Sequence, residues 1–97
     1  MTKVIKIVLA EDEPTIAMAY KLGLSYHGFD VIVAGDGQEA LEVLERESPD
    51  IILLDVIMPI KNGFEVLETI RTKPNLIKLP VLVLTNLGQP TDADRAE

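Results

Sequence analysis

The chain has 97 residues, of which 47% are hydrophobic and 26% charged, a composition typical of one folded domain rather than a disordered tail. Sixteen acidic against nine basic residues give a net charge of -7, which disfavours electrostatic binding to nucleic acid or to an anionic membrane. Because the sequence contains no cysteine, disulfides, thiolate metal sites and cysteine nucleophiles are excluded, and the composition is compatible with a reducing cytoplasm.

Four short apolar runs divide the sequence, each rich in valine, isoleucine and leucine with little polar alternation. Such runs are typical of strands in a parallel sheet that helices cover on both faces. The predicted strands are, in chain order, residues 4–10, 31–34, 51–54 and 81–84.

Segments with helical periodicity lie between these runs. The first begins at Pro14, a residue suited to the first turn of a helix, and ends at Gly28. The second has Asp36 as its N-cap, with Glu39 three residues later, and ends before Pro49. A third helix is expected to follow the third strand.

This third helix begins at residue 62 or 63 and carries Phe64, Leu67 and Ile70 on its apolar face, with Val66 as a further candidate. We expect residues 89–97 to be partly disordered or to begin a fourth helix. Alternation of strands and helices predicts a single α/β domain over residues 1–97, an open parallel sheet with right-handed crossovers and helices on both faces.

Acidic residues follow two of the predicted strands directly. The first strand runs into Glu11, Asp12 and Glu13, and the third runs into Asp55. Neighbouring strands lie about 5 Å apart, and ligands of such sheets bind at the carboxyl ends of the strands. We therefore expect the carboxylates to converge at one edge of the sheet, where their repulsion calls for a cation. Oxygen ligands with room for water favour Mg²⁺.

Asp55 is the better candidate nucleophile because it ends a buried strand, whereas Glu11 and Asp12 are adjacent and can share the metal. A purely structural interpretation stays open at this point. In it, Asp12 or Glu13 only caps the first helix, where negative charge is favourable, and Asp55 only ends a strand.

Short motifs along the chain combine in an order typical of one family. They are AEDEP at residues 10–14, PDIILLDVIMP at residues 49–59, NG at residues 62–63 and LT at residues 84–85. Each motif is weak alone, but in this order and strand context the sequence resembles the receiver domain of bacterial two-component response regulators. The resemblance spans essentially the whole chain.

This resemblance implies that Asp55 accepts a phosphoryl group from a histidine kinase or a phosphotransfer protein. Asp12 would hold Mg²⁺ directly and Glu11 through water, and Asp55 and the backbone carbonyl of Ile57 would complete the metal site. Thr85 matches the hydroxyl that moves to bond the phosphoryl oxygen, although by itself it is typical of an ordinary strand residue. From the charge and composition we expect a cytoplasmic location, with no membrane or direct nucleic-acid contact. The chemistry would be limited to the chain's own phosphorylation and dephosphorylation, without enzymatic turnover.

The family's flavodoxin-like sheet continues with a fifth strand, a lysine and a fifth helix, which the 97 residues do not contain. We therefore expect a truncated receiver with impaired phosphorylation. Residues 81–84 would form an exposed edge through which the chain self-associates. A second possible function is phosphorylation-independent dimerisation or partner docking. A phosphatase with an Asp nucleophile is disfavoured, because its usual second Asp corresponds to Ile57.

Overall fold

The computed structural model describes residues 3–55 and 63–84, in which four parallel strands alternate with three helices. The elements are β1 (Lys6–Ala10), α1 (Pro14–Tyr26), β2 (Asp30–Ala34), α2 (Gly37–Glu47), β3 (Ile51–Asp55), α3 (Gly63–Thr72) and β4 (Val81–Leu84). The strand order is β2-β1-β3-β4 and every pair is parallel. The predicted open parallel α/β sheet of flavodoxin-like order is confirmed. Our expectation for residues 89–97 lies outside the described residues.

Side chains of the two central strands alternate between two hydrophobic cores. Val8 and Leu54 pack on the face covered by α2 and α3. Ile7 and Leu53 pack on the opposite face, against α1. Because successive residues of a strand point to opposite faces, β1 and β3 are buried on both sides, which explains their unbroken apolar sequences.

The outer strand β4 is covered less well than β1 and β3. Leu82 is 53% exposed and Val83 is 43% exposed, so both faces of this strand are partly open. Within the described part of the chain, β4 pairs only with β3. Among the described strands, β4 is therefore an outer strand of the sheet, as the predicted order places residues 81–84.

The helix ends follow the capping residues that the sequence indicates. Asp36 is the N-cap of α2 and its side chain accepts a hydrogen bond from the Glu39 backbone N–H at 2.8 Å. α1 has His27 as its C-cap, and Gly28 follows with φ of 95°, a left-handed conformation that favours glycine. No helix within residues 3–55 or 63–84 combines the length and the apolar character that a membrane span requires.

Some details of the sequence prediction were wrong, among them the start of β1 and the position of Phe64; β2 and β3 are each one residue longer than predicted. β1 begins at Lys6 rather than Val4, because its partner β2 begins at Asp30, which is level with Lys6. Phe64 was expected on the apolar face of α3 but is 66% exposed. It precedes the buried Val66 by two residues and so lies about 200° away around the helix.

Candidate metal centre

Glu11 and Asp55 lie side by side at the carboxyl ends of two neighbouring strands. The last registered pair of β1 with β3 is Ala10 with Leu54. Each of these residues is followed by an acidic one, Glu11 and Asp55 respectively. Both acids are buried, with Glu11 5% exposed and Asp55 2% exposed. Parallel pairing and register alone thus bring two buried carboxyl groups to one point of the sheet edge.

Asp12 adds a third carboxylate from the solvent side. One carboxylate oxygen from each of Glu11, Asp12 and Asp55 lies within 4.8 Å of the other two. At that separation two unit charges repel by on the order of 3 kcal/mol at an effective dielectric near 20. The expected convergence of these three carboxylates is observed, with two members buried and the third exposed.

The neighbouring Glu13 has a different role, which resolves an alternative that the sequence leaves open. Glu13 is the N-cap of α1, and its Oε1 accepts a hydrogen bond from the Thr15 backbone N–H at 2.7 Å. Its own backbone N–H donates to Oε2 of Glu11 at 3.1 Å. Glu13, not Asp12, therefore caps the helix, and its amide fixes the Glu11 side chain.

Burial and neighbouring acids together perturb the ionisation of Glu11. Together they raise the pKa of Glu11 from 4.5 to about 7, and desolvation by burial is the largest cause. The hydrogen bond from the Glu13 amide lowers this pKa, whereas the charges of Asp55 and Asp12 and a side-chain hydrogen bond with Asp55 raise it. Glu11 is thus harder to ionise than an ordinary glutamate, and a bound cation would favour its ionised form.

The donor set matches a hard divalent cation. Three carboxylates supply oxygen ligands only, and the exposed Asp12 leaves the cluster accessible from solvent. Such ligands suit Mg²⁺, which commonly keeps several waters and binds one or two carboxylates together with phosphate oxygens. The other two predicted site residues, Ile57 and Thr85, lie outside the described residues.

One contact at this site was missed in the sequence. The backbone N–H of Glu11 donates to the carbonyl oxygen of Ala34, the last residue of β2, at 3.0 Å. The predicted strand order does place β2 beside β1, so a contact between the ends of these strands could have been expected. What the sequence did not provide was the register, which decides which carbonyl faces Glu11.

The family model of the response regulator receiver domain matches residues 7–97. The chain belongs to the response regulator receiver domain family. The receiver is 41% identical over 87 residues to the alkaline phosphatase synthesis transcriptional regulatory protein PhoP of Bacillus subtilis, covering 90% of the chain and 35% of that protein. It spans about a third of the length of the curated relatives it matches.

Solved structures share the fold of this receiver. The N-terminal domain of a response regulator receiver protein from Methanoculleus marisnigri is 35% identical with a TM-score of 0.83, over 96% of this chain and 76% of that one. The receiver domain of the sensor histidine kinase PA1611 from Pseudomonas aeruginosa is 28% identical with a TM-score of 0.84, over 95% and 75%. In that structure a magnesium ion is coordinated in the active site cleft.

Proposed function

We propose that this receiver accepts a phosphoryl group on Asp55, in the presence of Mg²⁺, as part of a two-component phosphorelay in the cytoplasm. The phosphoryl donor is a phosphohistidine on a histidine kinase or a phosphotransfer protein. The observation that carries the proposal is the gathering of Glu11, Asp12 and Asp55 within 4.8 Å, in a chain of the receiver family.

Asp55 is the proposed nucleophile. A carboxylate oxygen of Asp55 attacks the phosphorus atom while the N–P bond of the phosphohistidine breaks, and the departing imidazole takes up a proton. The last residue of a strand buried on both faces holds this carboxylate in a fixed position, which favours in-line attack. The chain acts on itself in this step and in its own dephosphorylation, so we do not assign it a turnover activity.

The metal is the proposed companion of the acceptor. Asp12 and Asp55 would supply carboxylate ligands, Glu11 would hold the metal through water, and the backbone carbonyl of Ile57 is proposed as a further ligand. Mg²⁺ supplies positive charge that offsets both the clustered carboxylates and the oxygens of the incoming phosphoryl group. The magnesium ion in the receiver of PA1611 supports this assignment.

Thr85 is the proposed output residue. Leu84, at the end of β4, is level with Asp55 in the register, and Thr85 is the next residue along the chain. Phosphorylation adds a charge of about -1.5 to -2 at Asp55. We propose that the Thr85 hydroxyl bonds the phosphoryl group and changes the adjoining surface.

The test is incubation with Mg²⁺ and acetyl phosphate, read by intact mass. We expect the wild-type chain to gain the mass of one phosphoryl group and Asp55→Asn to gain none. Asp50→Asn, which makes the same chemical change at the opposite end of β3, should be phosphorylated like the wild type. A folded wild-type chain that stays unmodified, or equal modification of Asp55→Asn, would contradict the proposal.

An alternative proposal is self-association without phosphorylation, through β4. Its support is the exposure of Leu82 and Val83, together with a groove of about 530 Å³ that Leu82 lines with other mainly apolar side chains, including Leu24, Phe29 and Leu53. Size-exclusion chromatography with light scattering at micromolar concentration tests it. A dimer that Leu82→Glu dissociates would support self-association, and a monomer at every concentration would exclude it.

A further inference from the structure

The peptide unit between Ala34 and Gly35 is hydrogen-bonded on both sides. Its carbonyl oxygen accepts from the Glu11 backbone N–H at 3.0 Å. Its N–H donates to Oε1 of Glu39 at 2.7 Å. Because a peptide unit is planar and rigid, these two bonds connect Glu39 of α2 with Glu11 of the acid cluster.

Glu39 is itself held in place by the start of α2. It is the third residue of the helix, and its backbone N–H donates to Oδ1 of Asp36 at 2.8 Å. The side chain then reaches back past the N-cap to the Gly35 N–H. A carboxylate acceptor makes a stronger hydrogen bond than a neutral one, and an N–H that donates strongly makes its own carbonyl a better acceptor.

The bond from Glu11 to Ala34 lies at the very end of the sheet. Ala10 and Ala34 form the last registered pair of β1 with β2, so this bond is the one that fixes Glu11 against β2. Beyond it, the Glu11 carboxylate is fixed by the Glu13 amide at 3.1 Å. The position of the Glu11 carboxyl therefore depends on a backbone contact that Glu39 orients.

We propose that Glu39 is a positioning residue for the metal centre, acting on Glu11 through the Ala34–Gly35 peptide. The inference rests on the proposed function of that centre. In this proposal an exposed residue of α2 that is not itself a metal ligand helps to set the affinity for the metal.

The experiment compares Glu39→Ala, Glu39→Gln and Glu39→Asp with Glu45→Ala. Glutamine keeps an acceptor of the same length, whereas aspartate keeps the charge and the fold but withdraws the acceptor by one methylene. Glu45 is the charge-matched control on the same helix, where its carboxylate pairs with Lys73 at 3.2 Å and accepts from Asn75 at 3.1 Å. Magnesium affinity is measured by calorimetry, and amide exchange at Gly35 and Glu11 by NMR without metal.

We expect Glu39→Ala and Glu39→Asp to weaken Mg²⁺ binding by about threefold to tenfold, at or below the range for outer-shell partners of metal ligands. Both should speed amide exchange at Gly35 and Glu11 relative to the amides within α2. Glu39→Gln should restore most of the affinity and protection, and Glu45→Ala should change neither.

The inference is overturned if Glu39→Asp binds Mg²⁺ like the wild type with unchanged exchange at Glu11, or if Glu45→Ala weakens binding equally. In those cases a wild-type chain that binds Mg²⁺ leaves the proposed function standing. A wild-type chain that binds no Mg²⁺ overturns both, so the two failures are distinguishable.

Discussion

The two ends of β1 and β3 carry acids at matched positions but in opposite electrostatic settings. One position before the first registered pair of these strands, Asp50 is level with Lys6. One position after the last registered pair, Asp55 is level with Glu11. We call these the amino rim and the carboxyl rim of the sheet, and the contrast between them separates structural from functional acids.

At the amino rim the acids meet lysines. Oδ1 of Asp50 pairs with Lys3 Nζ at 2.7 Å, and Oδ2 accepts from the Lys6 backbone N–H at 2.8 Å. Both hydrogen bonds lower the pKa of Asp50, and the bond from Lys3 has the larger effect. The pKa of Glu47 is also lowered, chiefly by hydrogen bonds from Arg46 and Lys6. Ionisation of these acids therefore favours the folded state.

At the carboxyl rim burial and two neighbouring acids act on Glu11 and raise its pKa to about 7. Ionisation there opposes folding. An arrangement that weakens the fold in the absence of a cation is expected of a binding centre rather than of a structural contact.

The largest expected effect is on metal binding. Asp12→Asn and Asp55→Asn should each lower Mg²⁺ affinity by at least about tenfold, since each removes a charged ligand. Isothermal titration calorimetry measures it. Asp50→Asn makes the same change at the amino rim and should bind like the wild type; an equal loss there would mean that only overall charge matters.

Removing the charge of Glu11 should stabilise the metal-free protein. Glu11→Gln keeps an acceptor for the Glu13 amide but removes repulsion, and we expect a gain of about 1 kcal/mol in the free energy of unfolding at pH 8, after allowance for solvent screening. Urea denaturation followed by circular dichroism measures it. Glu47→Gln, the matched change at the amino rim, should destabilise instead. A loss of stability in Glu11→Gln would show that its charge does not oppose folding.

The pH dependence of stability should differ between the rims. Between pH 4.5 and about 7, Glu11 is protonated in the folded state and ionised in the unfolded one, so the stability of the metal-free protein should fall as pH rises across this window. The contributions of Asp50 and Glu47 are complete above their ordinary pKa values and should be lost as pH falls through their lowered ones. Denaturation curves recorded across pH test both parts of the stability profile, the acidic limb set by Asp50 and Glu47 and the neutral limb set by Glu11. Glu11→Gln should flatten only the neutral limb, and a wild-type profile without that limb would contradict the assignment.

The smallest expected effect is at the exposed ion pair of the amino rim. Lys3→Ala should lower the unfolding midpoint slightly, and high salt should remove the difference, because exposed ion pairs are weak and screened. Thermal unfolding at low and high salt, with Asp50→Asn completing a double-mutant cycle, measures the coupling. A coupling that survives high salt would indicate a buried rather than an exposed interaction.

The sequence was most informative where geometry follows from chain order. Glu11 and Asp55 end adjacent parallel strands, so their convergence could be predicted without coordinates. Register was needed for the rest: it decides that Asp50 is level with Lys6 and that the Glu11 amide meets Ala34.

Side-chain choice within a local motif was also beyond the sequence. Asp12 and Glu13 both suit a helix N-cap, and only the backbone direction at the start of α1 shows that Glu13 takes that role. Phe64 was misassigned because an apolar residue near the start of a helix can lie either on the buried apolar face or on the solvent-facing side, and its spacing alone does not distinguish the two. Glu39 was recognised as a capping residue, but its link to Glu11 requires the strand order and the register together.

The most direct test is a Mg²⁺ titration of the wild-type chain followed by backbone amide NMR. We expect saturable shifts at the carboxyl rim, at Glu11, Asp12 and Asp55, with Lys6 and Asp50 at the amino rim unchanged. Absence of saturable shifts, or shifts of equal size at both rims, would contradict the assignment of the carboxyl rim as a metal centre.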